Sequence, residues 1–183
     1  RITSPIDIKT IKKLTAGTRV LISGKMYVAR DAAHQRIIEA MDKREPLPFD
    51  IKGQTIYYMG PSPAKPGRII GSAGPTTSIR MDIFTPRLVS AGLRAMIGKG
   101  NRSPEVREAL RRHKAVYLVT TGGAGAFLAR TIQHVETIAY EDLGAEAILL
   151  LTVADFPAIV ANDIYGADLF EQTKEKYRKE KGK

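Results

Sequence analysis

Short apolar runs of strand character alternate along this chain with segments of helical spacing, and that alternation narrows the fold more than any other feature. Arg19-Val-Leu-Ile-Ser23 reads as a strand ending at Gly24, with Met26-Tyr-Val-Ala29 continuing it around a bend. Asp31 reads as the N-cap of a helix from Ala32 to about Lys43, with Ile37, Ile38 and Met41 on its apolar face. Gln54–Met59 and Gly67–Ile70 read as short strands around a Pro-rich loop, and a helix is expected from Thr76 to Ser90, stopped by Gly92. Leu93–Ile97, Ala115–Thr120, Val135–Tyr140, Ala147–Val153 and Ile159–Ala161 read as further strands. Between them, Ser103 with Pro104 opens one helix, and Gly122-Gly-Ala-Gly125 leads into another through Ala129. Strands alternating with helices imply an α/β layered fold with an at least partly parallel sheet.

The 183 residues suit one domain, and 43% hydrophobic content supplies a core. No apolar run reaches the roughly 18 residues of a membrane span and no signal-peptide pattern opens the chain, so the expectation is a cytoplasmic protein without membrane contact. The chain contains no cysteine, which excludes disulfides, a thiol nucleophile and any thiolate-held metal or cluster built from these residues alone. His34, His113 and His134 lack ligand spacing, so no metal site is expected. The net charge of +10 invites a basic nucleic-acid-binding module as a non-enzyme alternative. The charge is scattered, however, over Lys12/Lys13, Arg111–Lys114 and a basic tail at 171–183, without interleaved aromatics. No specific nucleic acid is therefore expected. A basic surface instead speeds the approach of an anionic substrate.

Three places beyond expected strands carry residues suited to such a substrate. In Ala29-Arg-Asp-Ala-Ala-His34, Arg30 sets a forked cation beside a helix start; alternatively it pairs with Asp31 or a neighbouring acid, and His34 makes a structural hydrogen bond. In Gly71-Ser-Ala-Gly-Pro-Thr-Thr-Ser-Ile-Arg-Met-Asp82, a helix start offers free N–H groups to an anion, with Arg80 one turn beyond Thr76. The alternative there is a plain capped helix. In Gly98-Lys-Gly-Asn-Arg-Ser103, Lys99 stands between two glycines, as a ligand contact or as an ordinary turn lysine. Gly122-Gly-Ala-Gly125 lacks dinucleotide spacing and reads as allowing close helix–strand packing. Together Arg30, Arg80 and Lys99 would surround the Thr76 hydroxyl with three cations, enough for a small diacid and for easing deprotonation of the hydroxyl.

These segments, with Tyr57-Tyr-Met-Gly-Pro61 and Glu141-Asp-Leu-Gly-Ala-Glu-Ala147, resemble the iron–sulfur hydro-lyases. The resemblance is to the β subunit or C-terminal domain of class I fumarate hydratase and to the β subunit of L-tartrate dehydratase. It runs from about Pro5 to Phe170. It implies a swivelling β/β/α-type single domain over 1–170 with a mixed, partly parallel central sheet, and leaves the tail outside. It also implies a hydro-lyase subunit, inactive alone, that reversibly hydrates fumarate to L-malate. The [4Fe-4S] cluster would sit in a partner α subunit, giving a heteromer, with β–β dimerisation as a further arrangement. By motif position, Thr76 and Lys99 would be catalytic, Arg30 and Arg80 substrate-binding, and Asp31, His34, Thr77 and Asn101 their neighbours. Asn101 resembles the fumarase pattern more than the tartrate one; L-tartrate or another 2-hydroxy-diacid remains the alternative substrate.

Overall fold

The computed structural model describes residues 1–181; the last two residues of the basic tail lie outside the described residues. In chain order the strands are β1 (Ile2–Ser4), β2 (Arg19–Val28), β3 (Thr55–Tyr57), β4 (Ala95–Gly98), β5 (Val116–Val119), β6 (Ile132–Ala139) and β7 (Ile148–Asn162). The helices are α1 (Ile8–Ile11), α2 (Asp31–Lys43), α3 (Thr85–Ser90), α4 (Pro104–His113), α5 (Gly125–Ala129) and α6 (Leu169–Lys181). All strands join one mixed sheet in the order β1-β2-β3-β4-β5-β7-β6. Strands β1 to β5 run parallel, and β7 is antiparallel to β5, β6 and β2. Because β7 pairs with both β5 and β2, strands β2, β3, β4, β5 and β7 close into a barrel. Closure leaves no open edge within the barrel, and only β1 and β6 stand at the ends of the sheet.

Alternation along the strands divides the core in two. Ile22, Met26, Val28, Tyr57, Ile97, Leu118, Phe156 and Val160 point inward and fill the barrel. Ile56, Tyr58, Met96 and Tyr117 point outward and pack against Ile37 of α2, Leu88 of α3 and Val106 and Leu110 of α4. The α/β class and the mixed, partly parallel sheet expected from the sequence are present.

Four local expectations differ from the structure. The runs Ala147–Val153 and Ile159–Ala161 are one strand, β7, because Asp155 at φ 52° and a register shift opposite Gly24 let it bend rather than stop. Gly67–Ile70 is loop; Gly67 takes φ 74° and Ile69 is 57% exposed, so no sheet partner holds this run, and of its two isoleucines only Ile70 packs against the core. The expected helix over Thr76–Ser90 is divided into a 3₁₀ turn, Ser78–Met81, and α3. Pro86 fits only the first turn of a helix, so α3 begins at Thr85 and the chain ahead of it is free to take another course. Finally, α2 is capped by Arg30 backbone rather than by Asp31, which is its first helical residue. Glu146 takes over the capping, accepting from Ala32 N–H at 2.7 Å.

Candidate functional site

The loops that follow the parallel strands of the barrel gather at one end of it. Ala29 N–H donates to the Tyr57 carbonyl, Tyr58 N–H to Ile97, and Thr120 N–H to Gly98, so the chain just past β2, β3, β4 and β5 stays in register. Arg30, Gly60, Lys99 and Gly122 leave from these positions, the usual place for a ligand in an α/β protein.

Thr76–Ser78 runs extended across this end. Thr76 N–H donates to the Tyr58 carbonyl at 2.8 Å, Lys99 N–H to Thr76 at 3.2 Å and Ser78 N–H to Lys99 at 2.9 Å, and Thr77 bridges Lys99 in parallel. The expected helix start at Thr76, with free N–H groups for an anion, is therefore absent: the Thr76 and Ser78 N–H groups are used in pairing. The same pairing sets Thr76 and Thr77 directly beside Lys99. Gly98 makes the crossing possible, since a methyl there would overlap Ser78 Oγ and crowd the Tyr58 ring at 3.0 Å. Lys99 is exposed and its stem passes Gly122, where an added methyl would meet Lys99 Cδ at 3.5 Å. Asn101, two residues on, is also exposed. Gly125 lies against Ser72 Oγ and the Gly74 backbone, so it serves packing of α5 on a loop rather than the expected helix–strand contact, while a methyl at Gly123 would meet nothing.

The arginines form a second group. Arg80 grips Asp31 through Nε at 2.8 Å and through Nη2. Arg30 Nε also donates to Asp31, at 3.2 Å, and its Nη2 lies 3.3 Å from Glu146. Gly60 leaves room for the Arg30 guanidinium, which a methyl would overlap. Partial burial alone would raise the Asp31 pKa, but the hydrogen bonds, from Arg80 foremost, bring it below the usual carboxylate range. Asp31 and Glu146 thus offset part of the positive charge that Arg30 and Arg80 were expected to bring. Among the described residues, Nη1 of Arg30, Nη1 of Arg80 and Nζ of Lys99 have no hydrogen-bond partner, which leaves donors for an incoming carboxylate.

His34 is fully buried beneath this surface, its Nδ1 2.9 Å from the Arg30 carbonyl oxygen. Burial lowers its pKa to about 4, so it is neutral at pH 7, and its bond to Arg30 is the structural hydrogen bond read from the sequence. Glu146 was missed as a site residue: it lies in the quoted Glu141–Ala147 motif, but its partners are more than a hundred residues away and nothing local announces them. Arg102 was likewise passed over within Gly98–Ser103. Its guanidinium is wholly buried against Asp82 and Thr85.

Clefts of about 720 Å³ beside Arg19, Leu21 and Ile159 and about 620 Å³ beside Arg68, Ile70 and Arg130 lie elsewhere, and neither is lined by Arg30, Thr76, Arg80 or Lys99. Arg80 and Lys99 are exposed, and Arg30 and Thr76 are half-buried. Among the described residues there is no His/Cys/Asp/Glu cluster that could hold a metal ion, and no helix is long and apolar enough to cross a membrane.

The family model described as "Fumarase C-terminus" matches residues 2–173. Fumarate hydratase 2 of Leishmania major is 41% identical over 173 residues, covering 92% of this chain and 30% of that protein. The anaerobic class I fumarate hydratase of Escherichia coli is 42% identical over 164 residues, covering 88% of this chain and 30% of that protein. A putative L(+)-tartrate dehydratase subunit beta of Methanocaldococcus jannaschii is 37% identical over 174 residues, covering 92% of this chain and 89% of that protein. The chain thus spans under a third of the fumarate hydratases it matches and nearly all of the tartrate dehydratase subunit. With both the family model and these relatives matching over most of its length, the chain belongs to the fumarase C-terminus family.

Proposed function

We propose that this chain is the β subunit of a class I fumarate hydratase and supplies the dicarboxylate-binding half of the active site. The observation that carries the reading is the surface on which Thr76 and Thr77 lie beside Lys99 and Arg30 is tied to Arg80 through Asp31. A small diacid presents two carboxylates, and the free Nη1 groups of the arginines with Lys99 Nζ suit them. Arg80 and Lys99 are exposed, which fits a site completed by another polypeptide. The cysteine-free sequence offers no thiolate to a cluster, so the [4Fe-4S] group of this enzyme class would belong to the partner α subunit. There it would supply Lewis-acid chemistry at the hydroxyl that leaves or enters.

In this arrangement Arg30 and Arg80 orient the substrate carboxylates and fix which carbon faces Thr76. Thr76 Oγ1 moves the proton at the carbon next to a carboxylate, and Lys99 stabilises the negative charge that develops there. A threonine hydroxyl is a weak base at pH 7, so this role depends on the nearby cations outweighing Asp31 and Glu146 once substrate is bound. Reconstitution with an iron–sulfur α subunit under anaerobic conditions, followed by fumarate absorbance, tests the reading. Hydration by the complex and by neither part alone is expected; no hydration with an intact cluster contradicts it. L-tartrate is the second substrate to assay, because the tartrate dehydratase subunit matches this chain nearly end to end.

A further inference from the structure

Four buried side-chain polar atoms lack a partner among the described residues, and two of them belong to different residues in one part of the core: Nε2 of His34 and Nη1 of Arg102. Both side chains pack on Tyr58. The His34 ring meets it edge-on at 5.3 Å, and the Arg102 guanidinium lies 5.4 Å from its centroid and 4.8 Å from that of Tyr117. The charge of Arg102 is felt at His34, where it opposes protonation. The polarity of the two orphan atoms is complementary. The Arg30 carbonyl can only accept, so His34 Nδ1 carries the proton and Nε2 presents a lone pair. Arg102 spends Nε on Asp82 and Nη2 on Thr85, both at 2.6 Å, which leaves Nη1 as a donor.

We propose that Arg102 Nη1 and His34 Nε2 are joined through one buried water, accepting from the arginine and donating to the histidine, and that both are positioning residues for the substrate surface. A water bridging a buried donor and a buried acceptor is the ordinary remedy for such a pair. The link would close a chain between the two halves of the site. His34 holds the carbonyl of Arg30. Arg102 holds Asp82, two residues beyond Arg80, and Asp82 also accepts from Ser103 N–H. Tyr117, stacked under Arg102, contacts Ser78 Oγ and the Gly100 carbonyl at 2.8 Å each, the flanks of Thr76–Thr77 and of Lys99. The consequence for catalysis rests on the hydratase reading above; the link itself does not.

Two arms separate them. Nitrogen-15 NMR of the imidazoles in the whole chain at pH 7 reads the link: His34 is expected to carry its proton on Nδ1 and to show a hydrogen-bonded Nε2. Thr85→Val, which loosens the Arg102 fork, should shift that Nε2 resonance toward a free imine nitrogen. A proton on Nε2, or a resonance that does not move, overturns the link. In the complex with its iron–sulfur partner, Arg102→Lys and His34→Asn should each raise KM for fumarate about tenfold with a smaller change in kcat, and the double variant should be no worse than either. Additive losses, or an unchanged KM, overturn the positioning role. Should Arg102→Lys fail to fold, Thr85→Val takes its place in the kinetics. A wild-type complex without hydratase activity would count against the hydratase reading while leaving the NMR result to decide the link.

Discussion

Arg80 and Asp31 pair with 46% and 30% of their side-chain surface exposed, whereas Arg102 and Asp82 pair at 0% and 10%. The chemistry is the same, and one member of each pair, Arg80 and Asp82, comes from the same short segment. A solvated pair contributes little to stability and can exchange one carboxylate for another. A buried guanidinium held by Asp82, Thr85 and two tyrosine faces cannot be released without leaving a charge stranded in the core. Burial thus divides two similar pairs into one that can change partners, as the proposed binding role requires, and one fixed in the core.

The largest effect expected from this division is catalytic. In the reconstituted complex, Arg80→Ala or Arg30→Ala should lower kcat/KM by about 10²–10³, the loss of a charge-assisted carboxylate contact; near-wild-type kinetics would remove the exposed pair from the site. Next in size is stability. Arg102→Ala should cost about 3–5 kcal/mol by urea unfolding, because it strands Asp82 and opens space between Tyr58 and Tyr117. A loss below about 1 kcal/mol would equate the buried pair with the exposed one.

A third expectation concerns pH. Burial lowers the His34 pKa from 6.5 to about 4, so between those values the unfolded chain binds a proton that the folded chain refuses. Stability therefore falls as pH falls through that window, by up to about 3 kcal/mol from this residue. Urea midpoints of wild type and His34→Gln at pH 7 and pH 4.5 would show it as a steeper fall in the wild type; parallel falls would exclude His34 as the cause. The smallest effect is the stability cost of Arg80→Ala, expected to stay under about 1 kcal/mol. A larger cost would show that the exposed pair also supports the fold.

Much of this was legible in the sequence. Apolar runs marked six of the seven strands, β2 to β7, and Ser103 with Pro104 marked the start of α4, where the Ser103 hydroxyl accepts from Val106 N–H. β1 and α1, only 3 and 4 residues long, carry too little pattern to be read. The motifs grouped Arg30, Thr76, Arg80 and Lys99; in the structure Thr76 lies beside Lys99, and Arg30 meets Arg80 through Asp31. Barrel closure was not readable, since it depends on β7 reaching β2 across more than a hundred residues. Nor was the extended course of Thr76–Ser78, which is fixed by pairing with Tyr58 and Lys99 rather than by local propensity. The pairing of Arg30 with Asp31 was readable as the alternative to a ligand role, but the grip of Arg80 on Asp31 and the arrival of Glu146 from a distant turn were not, because the fold decides which acids reach a site.

The most direct test is the structure of this chain in complex with an iron–sulfur α subunit and bound malate. The account predicts that the malate carboxylates lie within hydrogen-bond distance of Arg30, Arg80 and Lys99, with Thr76 Oγ1 facing the carbon that gains or loses the proton. Malate bound away from these four side chains, or Arg80 still closed on Asp31 with no contact to malate, would contradict it.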